Sequence, residues 1–192
     1  MKWPRAIGIV DLGILTLVAV ALFLPPREML ASSSYKGDEA KRFALSLAEA
    51  RTIARPDDGA NIDELARRLG EFYKDWAVEA GIDGSDRAKD SPSRWRALLA
   101  TSVAYVERLD VIPALDYANR ALAACESARE KGGQAACPSW EEVRMRLYHR
   151  HLDAGVQSGI NPRQDPKGFR AAGESGIRQI RLKERTGSAA PR

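Results

Sequence analysis

The spacing of apolar residues constrains this chain more than anything else in it. Between residues 40 and 180 apolar side chains recur three and four positions apart, and no segment keeps the two-residue alternation of a strand. Ile62, Leu65, Ala66, Leu69, Phe72, Tyr73, Trp76, Ala77 and Ala80 hold that spacing over about five turns, so one helix would gather them on a single stripe. Trp95, Leu98, Leu99, Ser102, Tyr105, Val106 and Leu109 do the same. Shorter stripes begin at Ala40, Leu115, Trp140 and Phe169. The pattern predicts an all-α fold of six helices, near residues 36–55, 61–80, 92–109, 113–131, 139–158 and 166–183.

Local chemistry marks the expected ends. Asn61 with Glu64, and Ser139 with Glu142, have the spacing at which a capping side chain and a third-position glutamate satisfy each other's amides. Ser91-Pro92 and Asp165-Pro166 place a cap before a first-turn proline. Gly81 and Gly132 stand where helices are expected to stop, leaving residues 82–91 as a polar loop.

Ser102, Tyr105, Ala114, Ala118 and Ala121 resemble the tetratricopeptide repeat, which puts a small residue and a tyrosine on its first helix and small residues on its second. Leu98 takes the place usually held by tryptophan, and Leu69-Gly70-Glu71-Phe72-Tyr73 is similar to the Leu-Gly-x-x-Tyr fragment. Small residues on facing helices let the backbones approach closely. Tyr73 and Tyr105 lie 32 positions apart rather than the family's period of about 34. The resemblance implies a degenerate array of helical hairpins that binds protein partners; an unrelated helical bundle is the competing architecture.

Ahead of the helices, residues 6–24 form a 19-residue apolar run broken only by Asp11 and closed by Pro25-Pro26. As a helix it would span roughly 28 Å, about the thickness of a hydrocarbon core. Lys2 and Arg5 precede it, so the positive-inside rule keeps the amino terminus in the cytoplasm and exports the body. An uncleaved anchor is the expectation. A cleaved signal peptide competes, although the cut after Ala31 would leave Met29 where a small residue is wanted. Asp11, near the cytoplasmic edge, reads either as a tolerated charge or as a contact with another membrane subunit. A carboxylate before an apolar run resembles the single span of ion-motor and Tol/Exb-type subunits.

The chain has two cysteines and two histidines among 192 residues, too few for a cysteine-rich scaffold or an all-cysteine zinc site. Cys125 and Cys137 flank the Gly132-Gly133 turn; in an oxidising compartment a bond between them would contribute roughly 3 kcal/mol. Two buried thiols are the alternative. His149 and His151, two apart, would point about 200° away from each other on a helix and cannot share a metal. Asp83, Asp86 and Asp90 lack the spacing of a calcium loop. Neither a phosphate-binding glycine loop nor a nucleophile elbow is present. No catalytic residue, metal or cofactor is expected; Glu107 and Asp110 are carboxylates that nothing singles out.

With 44% hydrophobic and 29% charged residues, wholesale disorder and multi-span membrane proteins are excluded. Residues 163–192 carry eight basic and three acidic side chains against a chain total of +4, so the rest is about neutral. Arg178, Arg181, Lys183 and Arg185 are therefore candidates for anionic contacts, and Tyr73, Trp76, Trp95 and Tyr105, otherwise core residues, for partner contacts if exposed. The expected organisation is a cytoplasmic tip and anchor (1–30), a linker (31–37), a TPR-like periplasmic domain (38–183) and a disordered basic tail (184–192). The expected function is that of a non-enzymatic scaffold or adaptor, single-pass in a bacterial inner membrane. It would bind another envelope protein; nucleic acid is not expected as a partner, and the sequence identifies no small-molecule substrate. An accessory subunit of a membrane-energised complex using Asp11 and an all-helical cell-wall-acting enzyme are the alternatives.

Overall fold

The computed structural model describes residues 39–187, and the apolar run with Asp11 lies outside them. Seven helices and no strand are present among the described residues: α1 (Glu39–Ala54), α2 (Gly59–Gly70), α3 (Lys74–Arg87), α4 (Arg94–Glu107), α5 (Val111–Ala136), α6 (Ser139–Gln157) and α7 (Pro166–Gly187). None of them is long and apolar enough to cross a membrane. Contacts divide the chain after Phe43, and helices α2 to α7 belong to the second unit.

The seventh helix arises because the expected helix over 61–80 is cut in two. The amides of Phe72 and Tyr73 both bond back to the Leu69 carbonyl, at 2.9 and 2.6 Å, and Tyr73 is extended (φ −139°, ψ 93°). The chain then reverses, and α3 packs on α2 and α4. Its small residues meet bulkier ones there. A side chain on Gly81 would place its Cβ 2.5 Å from Thr101 Oγ1. Gly84 is held as tightly against Ile62, which is fully buried. Gly81, expected to end a helix, is thus a buried mid-helix contact, and residues 82–87 are helical rather than loop.

The remaining order is regular. α4 packs on α5, α5 on α6, and α6 on α7. Trp95, Leu98, Cys125, Cys137 and Met145 share one buried cluster; Ala114, Ala118, Leu152 and Phe169 share another. Trp95 is 1% exposed, and its indole N–H donates to the Ala136 carbonyl at 3.0 Å, so its polar edge is satisfied in the core. α5 continues in name to Ala136 but is broken at Gly133 (φ 67°), the turn expected between the cysteines. Cys125 and Cys137 sit with Cα atoms 5.4 Å apart and their sulfurs at bonding distance.

Several caps differ from expectation. Asp58, not Asn61, opens α2, its Oδ1 accepting from the Ala60 amide at 2.9 Å. The Asn61 side chain instead donates to the Arg51 carbonyl at 3.2 Å. Ser139 makes no capping bond, because its hydroxyl donates to Gln134 Oε1, while Glu142 accepts from Arg129 across the α5–α6 seam and from Arg146 one turn on along α6. α4 begins at Arg94, later than Ser91-Pro92 implied. Asp165 does cap α7, accepting from the Gly168 amide at 2.8 Å.

Between α4 and α5 the chain turns through Leu109, which has φ 63° without being glycine. The Leu109 amide bonds to the Val106 carbonyl and the Asp110 amide to the Tyr105 carbonyl, both at 2.9 Å, the paired pattern of a left-handed helix stop. Ion pairs and one hydrogen bond tie this turn to the start of α3 and to the loop between α6 and α7. Arg108 reaches Asp75 at 3.1 Å and Asp110 at 3.2 Å, Asp110 also receives Arg163, and Lys74 Nζ donates to the Glu107 carbonyl at 2.8 Å.

Candidate functional site

α2, α4 and α6, the opening members of three successive hairpins, line one open groove of about 460 Å3. Its floor is apolar and small. Ala66 comes from α2, Leu99, Ala100 and Ala104 from α4, and Met145 from α6, while Val103 stands 40% exposed above them. Helix periodicity explains the α4 contribution: residues 99, 100, 103, 104 and 107 lie on one face by three- and four-residue steps. Its rim carries both signs of charge, Asp63 and Glu107 against Arg67 and Arg144.

Two rim groups titrate abnormally. Burial raises the Asp63 carboxyl above the usual aspartate value, and the positive charges of Arg67, Arg96 and Arg144 only partly offset it. Burial likewise pushes the Tyr148 phenol up to about 12, with Glu107 adding to the effect. Ser102 donates its one proton to the Ala114 carbonyl at 2.6 Å, so the Tyr148 hydroxyl, 3.1 Å away, donates to Ser102. That chain ties α6 to the α4–α5 hairpin at the groove's edge. Glu107 has room because Gly70 lacks a side chain; a Cβ there would lie 2.7 Å from Glu107 Oε2. Arg144 stands 2.8 Å from Glu141 Oε2 off the line of a hydrogen bond, with its guanidinium 6.0 Å from the Trp140 ring.

The residues singled out from sequence are scattered by comparison. Trp95, a candidate partner contact, is sealed in the core. Tyr105 is half-buried, its ring 5.6 Å from that of Tyr117. Tyr73 and Trp76 are exposed, 40% and 55%, with ring centroids 4.5 Å apart, and they lie outside the groove. Arg178 is exposed beside Glu174 at 3.7 Å, and Arg181, Lys183 and Arg185 belong to the last turns of α7. His149 and His151 are half-buried, and His151 packs on Gly173. Among the described residues no group of three His, Cys, Asp or Glu side chains is placed to hold a metal.

Asp63, Arg67, Arg144 and Tyr148 escaped the sequence reading. Their own helices show only charged or aromatic positions beside an apolar stripe. What makes them a site is the return of α6 beside α4, a non-local event. No protein-family model, curated protein or solved structure matches this chain.

Proposed function

We infer that the helices form a scaffold that binds a segment of another protein in the groove between α2, α4 and α6, and that residues 6–24 anchor it in a bacterial inner membrane. The observation that carries this reading is the groove itself: a small-residue floor that admits an apolar side chain, flanked by carboxylates and guanidiniums that could pair with the charges of an incoming peptide. Three successive hairpins whose first helices share one surface also support the resemblance to a tetratricopeptide array.

A photoreactive residue at Val103 in the membrane-embedded chain should crosslink one defined envelope protein. The same group at Glu130, exposed and outside the groove, should not. Val103→Arg and Arg144→Glu should each abolish that crosslink from a second position in the groove. A crosslink insensitive to both changes, or none at all, defeats the proposal.

One observation favours a second reading, that of a cell-wall-acting hydrolase. A carboxyl whose proton is held more tightly than usual by burial, beside a cleft, is the kind of group that serves as a general acid, and burial shifts Asp63 in that direction. Asp63→Asn would then abolish release of fragments from purified wall polymer. A wild-type chain that releases none removes this reading and leaves the scaffold.

A further inference from the structure

A second cavity, of about 710 Å3, opens between the loop leading into α4 and one face of α5. It shares no lining residue with the groove. Lys89, Arg94, Arg120 and Lys131 border it against the single carboxylate of Asp90, leaving three positive charges in excess. Loop and helix spacing produce this concentration. Residues 89–94 bring two cations to the entry of α4, while Arg120 and Lys131, eleven positions and about three turns apart, fall on one face of α5.

The cations are neutralised unevenly. Arg120 lies 3.9 Å from Asp116, with its guanidinium 4.5 Å from the Tyr117 ring centroid. Arg94 has no ion pair among the described residues, and its Nε is buried with no acceptor. Arg94 lines the cavity, so its unpaired guanidinium charge is left for an incoming anion to answer. Leu98 and Ala124 supply an apolar wall behind it.

We propose that this cavity binds a phosphate ester, with the phosphate among the four cations and the organic part against Leu98 and Ala124. A lone carboxylate would leave most of the excess charge unanswered, whereas a phosphate brings up to two charges and several acceptor oxygens suited to a guanidinium fork. The cavity is also far larger than a bare ion requires, a single water occupying about 30 Å3 of liquid. Ser127 and Lys131 lie inside the loop closed by Cys125 and Cys137, so the cysteine pair braces one wall of the site.

The test is calorimetric titration of the full-length chain in nonionic detergent with glycerol 3-phosphate and, separately, with water-soluble dihexanoyl phosphatidylglycerol. At least one should bind saturably at one site, more weakly as salt rises. Arg94→Gln and Lys131→Gln should each weaken binding about tenfold or more, a factor equivalent to about 1.4 kcal/mol. Ser127→Asp, which adds a carboxylate and removes no cation, should weaken it too. Arg150→Gln, an exposed charge outside the cavity, should leave it unchanged. Melting curves followed by circular dichroism check that each variant is folded. Binding of glycerol 3-phosphate alone assigns a soluble monoester, and preference for the lipid analogue assigns a headgroup. The proposal is overturned if neither ligand saturates the chain, or if Arg150→Gln weakens binding as much as Arg94→Gln does.

Discussion

Residues 62–80 and 95–109 carry the same kind of stripe, aromatic and aliphatic side chains at helical spacing, yet only the second is one helix. In the first, the extended Tyr73 breaks the ladder, and α3 folds back until Gly84 rests on Ile62. In the second, α4 runs uninterrupted to Glu107 and is stopped by Leu109 in the left-handed region. Burial follows the same division: Trp95 is 1% exposed and Trp76 is 55% exposed. Stripe periodicity therefore says that residues are helical, not that they share a helix. What cuts the stripe is the packing gained when two halves lie antiparallel.

The sharpest way to break this comparison is to remove each tryptophan in turn. Trp95→Ala deletes a buried ring and its hydrogen bond to Ala136, and should cost about 3–5 kcal/mol in a urea unfolding curve. Trp76→Ala, at an exposed position, should stay within about 0.5 kcal/mol. Equal losses would mean that the aromatic pair with Tyr73 holds the first stretch as firmly as the core holds the second.

Leu109→Gly sharpens the contrast between the two junctions. A left-handed backbone costs an L-residue roughly 1–2 kcal/mol, and the extra freedom of glycine in the unfolded chain returns about 0.4–1 of that. The variant should be more stable by about 0.5–1 kcal/mol, measured by the same unfolding curve. A loss instead would show that the half-exposed leucine side chain contributes more than its backbone strain costs.

The smallest effect is a pH dependence in the first stretch. Asp63 binds its proton more tightly folded than unfolded, so its stabilising contribution is complete below the unfolded value of 3.8 and is lost as pH rises through the higher folded value. Asp63→Asn should therefore raise the melting temperature at pH 7, with the gain fading below about pH 4. A gain that is the same at both pH values would assign the effect to something other than ionisation.

These differences also show what was legible beforehand. The all-helical class followed from apolar spacing and the Asp165 cap from its place before a proline; the tetratricopeptide resemblance put Leu98, Ala114, Ala118 and Ala121 on facing helices, and the expected turn at Gly132-Gly133 favoured a Cys125–Cys137 pair that spacing alone left open. The break at Tyr73 did not, because no proline marks it and its own side chain fits the stripe. Asn61 and Ser139 looked like caps, but Asp58 and Gln134 compete for the roles their side chains would have played. The groove was out of reach for a stronger reason. Asp63, Glu107, Arg144 and Tyr148 come from three helices, and only tertiary packing makes them neighbours. The cationic cavity likewise joins Arg94 to Lys131 across two helices, where a count of charge along the chain pointed instead to the carboxyl-terminal segment.

The indole of Trp95 ends on the carbonyl of Ala136, the residue before Cys137, within the cluster that holds both sulfurs. Disulfides quench indole emission at short range by accepting an electron from the excited ring. The chain thus contains its own optical gauge of thiol chemistry. Its blue-edge fluorescence should brighten when the cysteines are reduced and dim when they reoxidise, with no label attached.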